Sequence, residues 1–330
     1  MVSVTVSPAG KPISIARGLP SQFDIPGKDL QDATIGDVKV AIAKKFPKFY
    51  SARQKITLKD SKNVLNDEVT LVGAGVADGG ELSVKDIGHQ ISWKTVFLIE
   101  YAGPLLIHPI FYYFPEYIWG GPVYHSMLQR FVYALVMLHF AKRELETLFI
   151  HRFSHDTMPV KNIFRNSSHY YIGSGLFLAL AIYGPQYSAM SPYIRGTSRD
   201  DPVFIWACTA IWLFAEVSNL ITHITLRSLR PAGSRKRAIP QGYGFSLVSF
   251  PNYFFESLGW FAIALMTGSW IGEVSPFVYT SSNERPKAYG FVIVSTAIMY
   301  TWAAKKHAAY KKEFGSTYPK GRKAMFPFIA

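Results

Sequence analysis

Asn252, Tyr253 and Glu256 stand close together in an apolar stretch, PNYFFE, and their side chains can do chemistry. An amide and a carboxylate can grip a polar ligand. A phenol, with a pKa of about 10, stays protonated at neutral pH and gives a strong hydrogen bond. Asn252 and Glu256 are spaced i, i+4, so a helix puts both on one face. Such groups are costly to bury without partners, and an intramembrane carboxylate is a functional hypothesis by default. A polar knot joining helices is the plainer alternative. Upstream, an apolar run that includes Asn219 turns basic from Arg227 to Arg237, in LRSLRPAGSRKRAIP. Pro231, Gly233 and Pro240 restrict this loop, so its guanidinium groups are held in positions suited to phosphates. Anchoring on the cytosolic side accounts for part of the same cluster. A cofactor with a phosphate end and a reactive ring end would satisfy both halves. Glu100, before Tyr101 in FLIEYAGP, is a second lone carboxylate in an apolar run. His307 and Tyr310 end the last such run and face the same cavity or sit at the interface.

Two other signals are weaker. His151 and His155, in HRFSH, share a face on a helix as metal ligands do, but the other histidines form no second pair at ligand spacing. No metal is expected on that count. GAGVADGG, at 73–80, lacks the strand-to-helix setting of a dinucleotide fingerprint and reads as a turn.

These residues need a scaffold, and the hydropathy pattern supplies it. Of 330 residues, 49% are hydrophobic, 15% aromatic and only 17% charged. The net charge of +13 falls almost wholly beyond residue 90, between apolar runs, which is the pattern of cytoplasmic loops rather than of a soluble nucleic-acid binder. Runs near 94–114, 122–141, 170–190, 203–224, 246–272 and 288–304 are each roughly long enough to span a bilayer. Basic residues follow the second run (Lys142, Arg143, Arg152, Lys161, Arg165), the fourth, and the sixth (Lys305 to Lys323). Those segments and both termini are therefore expected in the cytosol. The one cysteine, Cys208, excludes an intrachain disulfide, and residues 1–30 show no signal peptide.

Residues 1–88 read as a separate domain, with 89–330 as the membrane part. Val2, Val4 and Val6 alternate as a half-buried strand, and Ile13 and Ile15 are expected to start its returning partner after Gly10. Thr34 precedes Ile35, Val38, Ile42 and Phe46 at helical spacing, with Asp37 placed for a capping box. Strands near 56–58 and 82–84 complete a ββαββ order, that of a β-grasp, ubiquitin-like domain.

ISWKTVFLIEYAGP, KRELETLFIHRFSHDTMPVKNIF, LRSLRPAGSRKRAIP, PNYFFE and KKHAAYKKEF with its YP and PFI tail resemble the steroid 5α-reductase superfamily. Within it they resemble most the very-long-chain trans-2-enoyl-CoA reductases of the endoplasmic reticulum, over nearly the whole chain. The resemblance implies a multi-pass α-helical membrane enzyme of about six spans behind the ubiquitin-like domain. It would use NADPH to reduce a trans-2-enoyl-CoA, in the last step of each fatty acid elongation cycle, beside the other elongation enzymes in the bilayer. By the same resemblance Asn219, Arg230, Asn252, Glu256, His307 and Tyr310 line the cofactor site. His223 and Arg237 fall in the same motifs, and Glu100 aligns with a substrate-side glutamate. Phe140, in HFAKR, departs from relatives that carry tyrosine there, so a hydroxyl is missing at that position.

Hydride delivery to the β-carbon builds negative charge on the thioester oxygen, which a positioned donor must stabilise while a proton reaches the α-carbon. Tyr253 is the expected donor. Three alternatives remain at this point: reduction of a steroid enone, a non-catalytic membrane adaptor, and a methyltransferase of related architecture using S-adenosylmethionine.

Overall fold

The computed structural model describes residues 2–153, 156–229, 238–268 and 290–329. The chain forms two compact units, Met1–Trp93 with His155–Ile163, and Lys94–Ser154 with Phe164–Ala330.

In the first unit, alternation in β1 (Val2–Pro8) buries Val2, Val4 and Val6 on one face. β2 (Ser21–Ile25) pairs antiparallel with β1, and α1 (Ile35–Lys45) follows, then β3 (Gln54–Leu58) and β4 (Glu81–Asp86). The sheet order is β2-β1-β4-β3, with β1 and β4 parallel at the centre, so the unit is a β-grasp. Thr34 and Asp37 form the expected reciprocal capping box. Ile35, Val38 and Ile42 then pack onto Val4, Val6, Ile56, Leu82 and Val84. The returning strand lies later than Ile13 and Ile15: the partner of β1 is Ser21–Ile25. Pro12 and Pro20 cannot donate to a ladder, so the intervening residues turn instead, and Ile13 drops into the core. The stretch at 73–80 is a turn region, with Gly75 and Gly79 at φ of +76° and +75°. A short ribbon, β5 (Gln90–Ser92) with β6 (Thr157–Pro159), completes this unit.

The second unit is helical. Its elements are α2 (Trp93–Tyr113), the short α3 (Pro115–Trp119), α4 (Met127–Phe149), α5 (Asn162–Ser168), α6 (Leu178–Tyr183), α7 (Pro202–Ser228), α8 (Pro251–Thr267) and α9 (Gly290–Phe314). A π-helical segment, His169–Phe177, joins α5 to α6. Helix overlies each of the six apolar runs. Among the described residues, however, only α2 and α7 are long and apolar enough to cross a membrane, so the count of about six spans is supported for two. α8 has 17 residues, and α4 carries Lys142, Arg143 and Glu146 in its second half. Lys142 and Arg143 are therefore not in a loop, because α4 continues past them to Phe149.

Packing is closest where side chains are smallest. A Cβ on Gly103 of α2 would sit 2.4 Å from the Tyr171 ring, and one on Gly175 would sit 2.8 Å from Ile107 Cδ1. The two glycines let α2 and the π-helical segment approach. Buried His108 ties the same elements, with Nδ1 2.7 Å from the Tyr183 hydroxyl and Nε2 2.8 Å from the Ser174 carbonyl. Val132, Val136, Phe140, Ile182 and Trp260 are buried in the same core.

Candidate active site

On α4, His139, Lys142, Arg143 and Glu146 recur at three- and four-residue spacing, and on α7 Glu216, Asn219 and His223 do the same. Each set forms one helical face, and the two faces meet. His139 Nδ1 lies 2.7 Å from Glu216 Oε1, and Lys142 Nζ donates to both Glu216 Oε2 and Asn219 Oδ1 at 2.7 Å. Arg143 Nη1 donates to Glu146 Oε2 at 2.7 Å, and its Nη2 donates to the Tyr101 hydroxyl at 2.8 Å. His223 Nδ1 lies 3.1 Å from Glu146 Oε2. Glu146 is only 1% exposed, so its charge is held by neighbours rather than by water. Two carboxylates thus balance Lys142 and Arg143.

α8 closes this cluster. Asn219 Nδ2 donates to the Asn252 carbonyl oxygen at 2.8 Å. Gly259 permits the approach, since a Cβ there would sit 3.3 Å from Glu216 Oε1. Glu256 is half-buried and within electrostatic reach of Arg143, Tyr101, Tyr170 and His169. From α2, buried Glu100 bonds to Asn166 and acts on Tyr101 and Tyr170. Among the described residues, four buried polar atoms here lack a hydrogen-bond partner: Glu100 Oε1, Arg143 Nε, Glu146 Oε1 and Asn252 Oδ1. Buried polar atoms are paired in the great majority of cases, so such a group of exceptions is what a polar ligand would leave behind.

The other predicted residues lie on a second face of α8. Successive helical positions are rotated by about 100°, so Tyr253 turns away from Asn252 and toward α9. Its hydroxyl accepts a hydrogen bond from Lys306 Nζ at 2.7 Å. His307 Nδ1 lies 2.6 Å from Ser249 Oγ, which also meets the Tyr318 hydroxyl at 2.6 Å. The Tyr310 ring stacks on Phe250 at 5.5 Å. The structure therefore gathers Glu100, Asn219, His223, Asn252 and Glu256 around Arg143, and Tyr253, His307 and Tyr310 around α9. Arg230 and Arg237 lie outside the described residues, as does His155.

His151 does join a histidine and a carboxylate. Ligand atoms of Glu146, His151 and His223 fall within 4.8 Å of one another. Arg143 already donates to the same Glu146 oxygen, and Lys142 stands 3.4 Å from the other. Two fixed cations compete with a divalent ion for that carboxylate, and the trio is better described as part of the ion-pair network.

Sequence reading missed Tyr101, His139, Lys142, Arg143, Glu146 and Glu216. The signal was present: HFAKRELE on one helical face matches EVSNLITH on another. Ending the second apolar run at 141 hid it.

Comparison with known proteins identifies the family. The family model described as 3-oxo-5-alpha-steroid 4-dehydrogenase matches residues 156–330, and the ubiquitin-like domain model of TECR matches residues 23–86. A Schizosaccharomyces pombe protein whose name carries the words enoyl reductase is 43% identical, over 99% of this chain and 100% of that one. The very-long-chain enoyl-CoA reductase of Dictyostelium discoideum is 37% identical over 90% of this chain and 92% of its own. The trans-2,3-enoyl-CoA reductase-like protein of Mus musculus is 32% identical over 93% and 81%. The chain belongs to the 3-oxo-5-alpha-steroid 4-dehydrogenase family and carries its helical reductase part behind a ubiquitin-like β-grasp domain.

Proposed function

We propose that this protein is an NADPH-dependent reductase of the trans-2 double bond of very-long-chain enoyl-CoA, acting in the last step of fatty acid elongation. The observation that carries the reading is the buried cluster on α2, α4, α7 and α8 with its four polar atoms that lack a hydrogen-bond partner among the described residues, in a chain whose relatives are named enoyl-CoA reductases.

Those atoms fit a reduced nicotinamide nucleotide. Asn252 Oδ1 is an acceptor suited to an amide N–H, and Arg143 Nε is a donor suited to an oxygen. When bound, the cofactor supplies the hydride. Asn219, His223, Asn252 and Glu256 line the cofactor site, and Arg230 and Arg237 bind its phosphates. His307 and Tyr310 line the α9 side. Glu100 faces the acyl substrate, and the ion-pair network fixes the walls around it.

Tyr253 donates to the thioester oxygen as negative charge develops there. Lys306, donating to the phenol oxygen, polarises the O–H and makes Tyr253 a stronger donor than an isolated phenol. The acyl chain lies among the helices of a multi-pass protein of the endoplasmic reticulum membrane, with both termini in the cytosol and other elongation enzymes nearby.

NADPH consumption by the purified protein tests the reading, with a long trans-2-enoyl-CoA and a steroid enone supplied in parallel. The steroid arm is included because the family model's description names a steroid dehydrogenase. Turnover of the enoyl-CoA alone is expected; turnover of the steroid alone replaces the substrate assignment. Tyr253→Phe is expected to abolish turnover while NADPH still binds, and near-normal turnover removes Tyr253 as the donor.

A further inference from the structure

The end of α9 and the C-terminal segment border an open pocket of about 380 Å³ that the assignments above leave largely unused. His307, Lys311, Lys320, Arg322 and Lys323 line it, together with Tyr300 and small residues, and no carboxylate does among the described residues. That composition differs in kind from the α4–α7 network, where Lys142 and Arg143 each meet a glutamate. Among the described residues none of the five basic side chains here forms an ion pair. Arg322 is only 7% exposed, and its Nη1 donates to the Pro240 carbonyl at 2.9 Å. Its Nε is buried without a partner. A buried guanidinium beside three exposed lysines, with no acid paired to any of them among the described residues, is costly unless an anion completes the site.

The size of the pocket restricts the anion. Its volume lies within the usual range for small-molecule pockets and exceeds what a lone phosphate needs. Aromatic Tyr300 gives one wall an apolar surface beside the cations. From this we infer that the pocket binds a phosphomonoester on a secondary ribose hydroxyl, 2′ or 3′, a group carrying close to two negative charges at neutral pH. The inference rests on the proposed reaction, whose two nucleotide reactants each have one: the 3′-phosphate of CoA and the 2′-phosphate of NADPH. Three lysines and an arginine around one dianion give charge-assisted hydrogen bonds of the strong class.

Calorimetry on the full-length protein in nanodiscs tests this, using adenosine 3′,5′-bisphosphate, adenosine 2′,5′-bisphosphate and adenosine 5′-monophosphate as probes. One bisphosphate is expected to bind at least roughly tenfold more tightly than the monophosphate. The triple variant Lys311→Ala/Lys320→Ala/Lys323→Ala is expected to erase that preference. Preference for the 3′,5′ probe assigns the pocket to CoA, and preference for the 2′,5′ probe assigns it to NADPH. Equal binding of all three probes by the wild type overturns the inference, and so does an unchanged preference in the triple variant. Should the triple variant not fold, Lys320→Ala alone, at an exposed position, must still reduce the preference. Binding is read without turnover: absent enoyl-CoA reduction with the preference intact defeats the reaction assignment and leaves the phosphate pocket standing.

Discussion

Glu146 is the residue on which the buried network turns. It accepts from Arg143, faces His223 at 3.1 Å and stands 3.4 Å from Lys142. Glu146→Ala strands Arg143 in the core, and breaking a buried pair in this way costs about 3–5 kcal/mol. The expected result is a sharply lowered midpoint in thermal unfolding of the detergent-solubilised protein. Arg143→Met/Glu146→Met removes both charges and is expected to recover much of the loss, since an apolar replacement strands nothing. A double variant as unstable as Glu146→Ala contradicts the assignment. At this scale Asn252 and Glu256 were legible, because an i, i+4 pair in apolar sequence has few readings. Tyr101 was not, because its partner Arg143 comes from a helix distant in sequence, and Glu146 was not, because the apolar run was ended before the helical turn that carries it. Tyr253 was legible as a phenol, but only packing showed that its hydroxyl meets Lys306.

Among elements, the contact between α2 and the π-helical segment depends on two glycines. Gly103→Leu would drive a side chain into Tyr171, whose ring lies 2.4 Å from the site of a Cβ. Overpacking of this kind costs typically about 1–3 kcal/mol. Reduced thermal stability is the expected outcome, with Tyr171→Ala in the same chain relieving part of it. An unchanged melting midpoint in Gly103→Leu contradicts this packing. The sequence pattern located helix in every apolar run, since hydropathy reports burial. It could not say where α4 ends, because an apolar window stops at Lys142 while the helix continues by satisfying its charges internally. The first unit was more legible: capping box, alternation and turn glycines each act locally. The late β2 was the exception, where prolines displaced the expected strand.

For the molecule as a whole, the reading places the amino-terminal unit and the end of α9 on the cytosolic side of one membrane. Cys208 is buried and is the only cysteine in the chain, so introduced thiols can be labelled selectively. In sealed microsomes, Lys11→Cys and Lys312→Cys are expected to react with an impermeant maleimide, and Tyr117→Cys only after the membrane is opened. Protection of Lys312→Cys with Lys11→Cys reactive contradicts the topology. The central claim concerns the reaction itself. Purified protein supplied with NADPH deuterated on the transferable position of the nicotinamide and a very-long-chain trans-2-enoyl-CoA should yield the saturated acyl-CoA with deuterium at the β-carbon. Deuterium at the α-carbon, or no saturated product at all, would contradict it.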